Sequence, residues 1–421
     1  MNNSSVYNFI RVYSAMVDLC ATAAVFVLTK TRVASSWNVA QRAGLPILRE
    51  PIGDRSVTWI HAASMGEAKL AMKFLRLLQK KRHSDAYVLT ATTRSGVNYL
   101  HAHAAAGVVA TGFLPFDSLR RMRALLNAFK VRRVWLMETE IWPAMMASCL
   151  RSGVAVGIVN GRMEEKSFAV YRRFKALCAP LFETLDIVLA QNELYASRFR
   201  SMGSRPEAIH IVGNLKSLVD ITAPSSAKRR MLRTSLCIGD ADFVLTAGCI
   251  HAGEGKALKE TLTALKQAGR KVKCIVVPRY LHETASLLNA LGPDIAHVHE
   301  IAISHDWDTC LIDKMGILDD MYKAADAAFI GGTFVAVGGH SIWDAAQFAL
   351  PVFFGPDYHT QRDSFNMLMC AGVAFSAASP GELALRIASI MNGNREFLTQ
   401  AYAGLMESSR KQIDHIEGLL P

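Results

Sequence analysis

The sequence predicts a two-domain α/β protein whose domains are built on parallel sheets wrapped by helices, and three observations predict it. Apolar runs of strand length alternate with amphipathic segments from residue 57 to residue 354. A polar stretch, Ser217 to Lys228, breaks the alternation near mid-chain with Pro224 and neighbouring serines, as an interdomain linker does. The chain has 421 residues, of which 51% are hydrophobic: too many for one comfortable core and enough for two.

Taken in order, the chain begins with an apolar segment, VYSAMVDLCATAAVFVL from Val12 to Leu28, interrupted only by Asp18 and followed by Lys30, Arg32, Arg42 and Arg49. Only Arg11 precedes it and no cleavage site follows, which argues against a secretory signal peptide. The length is at the lower limit for spanning a hydrocarbon core of about 30 Å. A helix lying in the membrane interface, with Arg11 and Asp18 sharing a polar face, is the alternative. Either way, basic residues on its carboxyl side keep the globular body in the cytoplasm. A membrane-anchor segment is therefore expected at 1–35.

Buried strands are expected at Val57 to Ile60, Tyr87 to Leu89, Val108 to Leu114, Val134 to Met137, Val154 to Val159 and Ile187 to Ala190. They make a doubly wound first domain over 36–215. After a linker at 216–228, a second series runs Val244 to Ala247, Cys274 to Val277, Ala327 to Ile330 and Pro351 to Phe354, giving a second domain over 229–394. The remainder, 395–421, has a helical pattern suited to packing back across a cleft.

A formal net charge of +11 implies an anionic partner: nucleic acid, an acidic membrane surface or a phosphorylated substrate. Basic clusters such as Arg120-Arg121 with Arg123 are not interleaved with aromatics, and no nucleic-acid-binding motif is present, so no nucleic acid partner is expected. The eight cysteines lie in apolar segments without C-x-x-C spacing, which suits buried thiols in a reducing compartment and yields no metal cage.

Polar residues gather where strands end. The stretch from Ala325 to Pro356 reads strand, glycine loop (Gly331-Gly332, then Gly338-Gly339), helix start (His340, Ser341, Asp344) and strand. Such a loop cradles a phosphate on the N–H groups of a helix N-terminus, or is a packing turn. In His61-Ala62-Ala63-Ser64-Met65-Gly66-Glu67, the S-x-x-E spacing is that of a capping box, while a carboxylate in the first loop of an α/β domain also suits a general base. Met137-Glu138-Thr139-Glu140-Ile141-Trp142-Pro143 sets two carboxylates beside a helix start, with Glu138 the better candidate for chemistry. Asn160-Gly161-Arg162 reads equally as a solvated helix start or a ligand contact. Lys216 and Arg279, after apolar runs, suit neutralisation of a phosphate leaving group or are plain surface cations. His251 and Glu254 lack the second histidine of HExxH, so hydrogen bonding is favoured over zinc.

The order of these motifs, H-x-x-S-x-G-E, E-T-E-I-W-P, N-x-R-x-x-x-K-S, G-x-L-K, H-x-G-E, P-R, M-G, F-x-G-G-T through G-G-H, and G-P, resembles the Kdo transferases from about Trp59 to Pro356. That resemblance implies a GT-B fold, two Rossmann-like domains facing a central cleft, and transfer of 3-deoxy-D-manno-octulosonic acid (Kdo) from CMP-Kdo to the lipid A precursor (lipid IVA), in one or more steps. It implies Glu67 as general base, and Glu138 and Lys216 as transition-state stabilisers. CMP binding is implied for Pro278, Arg279, Met315, Gly316, Ile317, Ser341, Ile342, Trp343 and Asp344. Further donor or phosphate contacts are expected from His251, Gly331, Gly332, Gly338, Gly339 and His340, and acceptor contacts from Ser64, Gly66 and Arg162. Two departures fall on the nucleotide side: Ser341-Ile342-Trp343-Asp344 stands where the family has N-P-L-E, and Tyr280-Leu281-His282-Glu283 where it has H-P-E-R.

A one-step inverting displacement needs a base on one side of the sugar and phosphate neutralisation on the other. No D-x-D accompanies the nucleotide loop, so no metal and no cofactor are expected. The resemblance implies CMP-Kdo, the lipid A precursor and lipids of the cytoplasmic leaflet of the inner membrane as partners, and Arg120, Arg121 and Arg123 are expected to face that membrane. The alternatives are another GT-B sugar-nucleotide enzyme, or a membrane-tethered nucleotide-binding scaffold without catalysis.

Overall fold

The structure is a computed structural model that describes residues 3–28, 38–81, 85–218, 221–299, 303, 306–393 and 396–421. It divides into two compact units: Met1–Leu218 with Lys411–Pro421, and Val219–Arg410.

The first unit carries eight strands: β1 (Ile47–Leu48), β2 (Val57–Ala62), β3 (Ala86–Ala91), β4 (Val108–Phe113), β5 (Val131–Met137), β6 (Ala155–Gly161), β7 (Ile187–Ala190) and β8 (Ile209–Ile211). Their order is β1-β4-β3-β2-β5-β6-β7-β8, parallel throughout except for β1, which runs antiparallel on β4. β2, β3 and β4 are buried at every position, because helices cover both faces of a sheet joined by crossovers. Trp59 and Trp135 are fully buried. Gly157 on β6 leaves room for the second of these, since a Cβ there would lie 2.2 Å from the Trp135 ring. The direction of winding reverses between β2 and β5, where a doubly wound sheet opens a crevice at its carboxyl edge.

The second unit carries β9 (Phe243–Ile250), β10 (Val272–Pro278), β11 (Ala296–Val298), β12 (Thr309–Ile312), β13 (Ala327–Ile330), β14 (Val352–Phe354) and β15 (Ala374–Ser376). All pairs are parallel in the order β11-β12-β10-β9-β13-β14-β15. Its reversal lies between β9 and β13. The last helix, Glu396–Leu419, contributes its residues from Lys411 onward to the first unit, where Ile416 is buried and Lys81 Nζ donates to the Glu417 carbonyl at 2.9 Å.

The amino-terminal segment corrects one expectation. It forms a helix, Asn3–Leu28, but among the described residues no helix is long and apolar enough to cross a membrane. The physical reason is that one side of the helix is committed to the first unit. Val6, Ile10, Ser14 and Ala21 are buried, Ser14 Oγ accepts the Leu119 N–H at 2.8 Å, and Asp18 pairs with Arg121. Asp18 is thus a docking residue, and Arg121 is spent on holding the helix. Lys30 and Arg32, expected to follow the anchor, lie outside the described residues, as do Val219 and Asp220 of the expected linker.

Candidate functional site

Three carboxylates converge at the carboxyl edge of β2 and β5, neighbours at the reversal of the first sheet. β2 ends at Ala62, and Ser64 caps the helix Met65–Lys81 by accepting the Glu67 N–H at 3.3 Å. Glu67 reaches back so that its Oε2 accepts the Ala63 N–H at 2.8 Å, while its Oε1 lies 3.1 Å from Ser64 Oγ. The capping arrangement read from S-x-x-E is therefore present, and it does not exhaust the residue. Burial pushes the Glu67 carboxyl up to about 7, and the charges of Glu138 and Glu140 push the same way. Glu140 is also raised, first by burial and then by Glu138.

Glu138 directly follows β5 with φ 56°, a left-handed conformation unusual outside glycine. Its N–H donates to the Val159 carbonyl at 2.8 Å, which turns the chain at the strand end and directs the side chain out of the sheet edge. Lys216 Nζ lies 4.0 Å from Glu138 Oε1. Lys216 falls within the first unit, in the short turn Leu215–Ser217, rather than beyond its boundary at 215. Arg162 follows β6 and binds Glu164 at 2.5 Å, while its carbonyl accepts the Thr139 hydroxyl, tying the loops after β5 and β6 together. Gly66 is exposed in the first turn of its helix. His61 is a core residue: it is fully buried, contacts Thr90 Oγ1 at 2.9 Å and is held neutral by burial, which lowers it to about 3.

Sequence reasoning read Asn160 only as part of a solvated helix start or a ligand contact, and passed over Gln412. Asn160 is fully buried at the end of β6 with φ 59°. Its Oδ1 accepts the Leu215 N–H at 2.8 Å. From the last helix, Gln412 Nε2 donates to the Asn214 carbonyl at 3.2 Å, and its Oε1 accepts the Ser217 hydroxyl at 3.0 Å. The turn carrying Lys216 is therefore pinned from two sides. Asn160 was visible as a polar residue after a strand, but nothing local announced a partner 55 residues away.

In the second unit the glycine loop has a different logic from the one expected. Glu254, 1% exposed, accepts the N–H groups of Gly332 (2.7 Å), Thr333 (3.0 Å), Phe334 (3.0 Å) and His251 (3.1 Å). The N–H groups of Gly331, Gly339 and His340 donate to the carbonyls of Gly248, Gly332 and Gly331. Helical structure after the loop is limited to Trp343–Ala346, a single turn with little dipole. Of the two readings of this loop, the packing turn fits Gly331, Gly332 and Gly339, whose N–H groups are already paired and are not available as a phosphate cradle. Close approach explains Gly331, where a Cβ would lie 2.2 Å from the Cys249 carbonyl oxygen. Gly338, likewise buried, would meet Thr360 at 2.4 Å.

What remains unspent beside this loop are side chains. His251 and His340 face each other at 2.8 Å between Nε2 atoms, and Glu283 Oε2 lies 3.5 Å from His251 Nδ1. One ring must donate and the other accept, and His340 stays neutral because burial, then Arg279 and His251, lower it to about 4. The Arg279 guanidinium lies 5.1 Å over the Tyr280 ring, and its buried Nε has no hydrogen-bond partner among the described residues. Pro278 ends β10, Met315 is 62% exposed, Gly316 has φ 81°, and Ile317 and Ile342 are buried. Ser341, Trp343 and Asp344 are half-buried in the turn that follows the glycine loop.

Residues 37–219 match the family model described as 3-Deoxy-D-manno-octulosonic-acid transferase (kdotransferase). Over this stretch the chain is similar to the Kdo transferases. It is 27% identical over 388 residues to a 3-deoxy-D-manno-octulosonic acid transferase of Chlamydia muridarum, covering 91% of this chain and 85% of that one. It is 24% identical to the Rickettsia typhi enzyme of the same name, covering 87% and 78%. Among solved structures, the fold is similar to a UDP-GlcNAc 2-epimerase from Neisseria meningitidis (TM-score 0.54, 13% identity, 86% of this chain and 99% of that one). It is similar also to a glycosyltransferase from Rickettsia africae (TM-score 0.53, 9% identity, 86% and 94%). These structural likenesses speak to the fold alone: two Rossmann-like parallel-sheet domains.

Proposed function

We propose that this Kdo-transferase relative moves Kdo from CMP-Kdo onto a hydroxyl of the lipid A precursor with inversion, and that Glu67 is the base. The observation that carries the reading is a carboxyl raised to about 7 at a sheet-edge reversal, with two further acids in its field. At neutral pH such a group holds or releases a proton with little cost either way, which is what a base acting on a sugar hydroxyl needs. The acceptor oxygen attacks the ketosidic carbon as the bond to the CMP phosphate oxygen breaks. Glu67 takes the hydroxyl proton, and the leaving phosphate carries away the bonding pair. Lys216, steadied by Glu138 at 4.0 Å, supplies positive charge for the build-up on the donor. On the second unit, Arg279, whose buried Nε has no hydrogen-bond partner among the described residues, suits contact with the CMP phosphate. Ser64 and Gly66 flank Glu67 in sequence, the Arg162 carbonyl holds Thr139 beside Glu138, and all three residues suit acceptor contacts. No step calls for a metal ion.

The lipid acceptor gives the amino-terminal helix a use. Opposite its docked side it exposes Phe9 (48%), Val12 (62%), Met16 (62%) and Leu19 (72%), a stripe at i, i+3, i+7 and i+10. We read this stripe as lying on the cytoplasmic leaflet of the inner membrane, with the exposed Arg120 beside it at Asp18.

The test offers the purified chain CMP-Kdo or UDP-GlcNAc with tetraacylated lipid A precursor and reads products by mass spectrometry. A mass gain of one or more Kdo units with CMP-Kdo alone supports the proposal. Turnover of the UDP-sugar with none of CMP-Kdo would reject it in favour of another sugar-nucleotide activity.

A further inference from the structure

The edge of the second sheet carries a group of side chains that the transfer reaction does not use. β11 is an outermost strand, and His297 on it and His299 just past its end stand two residues apart, so both side chains leave the strand on the same face. The register Val298↔Ile312 makes Asp313 the next residue along β12, and its N–H donates to the Val298 carbonyl at 3.3 Å. The Asp313 carboxylate is divided between the two rings: Oδ2 lies 2.9 Å from His297 Nε2, and Oδ1 contacts His299 Nδ1. The ring centroids are 4.8 Å apart, and the ligand atoms of the three residues all lie within 4.8 Å of one another.

We propose that His297, His299 and Asp313 form a binding site for a borderline divalent transition metal, with zinc as the natural occupant. Two imidazoles and one carboxylate match the nitrogen and oxygen donor set of zinc, cobalt or nickel, whereas magnesium and calcium take oxygen ligands. Bonds of about 2.0–2.2 Å to a tetrahedral ion separate its ligand atoms by roughly 3.3 Å, so the cluster needs only a small spread to admit one. The ion replaces the protons now shared between each ring and Asp313. Asp313 is anchored for this role: its side chain is 13% exposed, against 33% and 74% for the two histidines, so the carboxylate is the fixed ligand and the rings close on it from the solvent side. Three protein ligands leave a fourth position for water. The site lies at the root of the segment Lys314–Ile317, and an ion there ties the edge strand to the start of that segment. It stands apart from the carboxylates assigned to transfer and holds whether or not that assignment does.

The experiment titrates the full-length, metal-stripped chain with cobalt chloride, following visible absorption, and with zinc chloride, following heat. Wild type is expected to take up one equivalent of cobalt with a nitrogen- and oxygen-ligand d–d spectrum that zinc abolishes. His299→Gln, at the most exposed of the three positions, is expected to weaken binding at least ~10-fold with its melting temperature in the absence of metal unchanged. His359→Gln serves as the control, because His359 pairs with the single carboxylate of Asp357 at 2.6 Å and belongs to no such three-residue cluster among the described residues. It is expected to leave binding intact. No saturable uptake by wild type, or equal uptake by His299→Gln and wild type, would overturn the proposal. No sugar nucleotide enters this measurement, so its failure leaves the transferase reading untouched, and the reverse.

Discussion

Asn160 Oδ1 accepts the backbone N–H of Leu215 at 2.8 Å, joining the end of β6 to the turn that presents Lys216. Both residues are fully buried, so the bond is made where water cannot replace it. Asn160→Ala leaves a dry N–H unpaired at a cost of about 1–3 kcal/mol and adds strain at φ 59°. We expect a lower melting temperature and, at permissive temperature, a fall of about 10-fold or more in the transfer rate with CMP affinity unchanged. A variant that melts early but transfers at the wild-type rate would show that the turn does not depend on this bond.

Glu254 gathers four backbone N–H groups around one buried carboxylate. Its replacement by glutamine leaves a single acceptor oxygen, and by alanine none. At roughly 1–3 kcal/mol for each donor left dry, Glu254→Ala is expected to lose at least about 3 kcal/mol of stability and to weaken CMP binding, with Glu254→Gln between it and wild type. Urea unfolding and calorimetry on the three proteins check the ranking.

The raised Glu67 carboxyl predicts a pH dependence of stability with a definite sign. Below the ordinary value near 4.5 the group is protonated in both states and contributes nothing. Between about 4.5 and about 7 the unfolded chain releases the proton while the folded one keeps it, so stability falls as pH rises through this window and levels off above it. Glu67→Gln keeps an oxygen for the Ala63 N–H and removes the titration. Its stability should therefore equal or exceed that of wild type at pH 8, with no advantage at pH 4. Unfolding curves that move in parallel across this range would contradict the assignment.

The amino-terminal helix yields two separable effects. Val12→Glu with Leu19→Glu places charge on the exposed stripe and should lower partitioning onto anionic vesicles while leaving the melting temperature unchanged. Arg121→Ala, by contrast, removes the partner of the partly exposed Asp18 and is expected to cost about 1–3 kcal/mol. A combined charge reversal at Arg120, Arg121 and Arg123 would mix the two, because Arg121 holds the helix down and Arg123 donates to Tyr7 at 3.2 Å.

Most of the fold was legible because strands buried on both faces have nowhere to hide in a sequence: runs such as Val57 to Ile60 and Ala327 to Ile330 are apolar throughout. The strands that went unread are the short or peripheral ones. β1 has two residues, both exposed, and β8 and β11 are edge strands of mixed polarity. β12 and β15 are three or four residues long and lean on their neighbours rather than on any pattern of their own. At the candidate site, Glu67 and Glu138 were found because acids at strand ends need a reason. The partners that hold Lys216, Asn160 and Gln412, are separated from its turn by 55 and by nearly 200 residues, and only folding brings them there. The glycine loop was recognised but its two readings could not be separated, because hydrogen bonds already spent on Glu254 cannot be seen in a spacing. The apolar amino-terminal run was read from its hydropathy and from a polar face shared by Arg11 and Asp18, neither of which reveals that Ser14 and Asp18 face protein.

The most direct test compares wild type with Glu67→Gln in single-turnover transfer from CMP-Kdo to lipid A precursor between pH 5 and 9, with CMP affinity measured in parallel. The account predicts that the wild-type rate rises with pH through about 7, where Glu67 becomes the carboxylate. It predicts that Glu67→Gln binds CMP as wild type does yet transfers at least about 100-fold more slowly, with no such rise. Transfer by a folded Glu67→Gln at the wild-type rate, or with the wild-type pH profile, would contradict it and leave Glu67 as a helix cap.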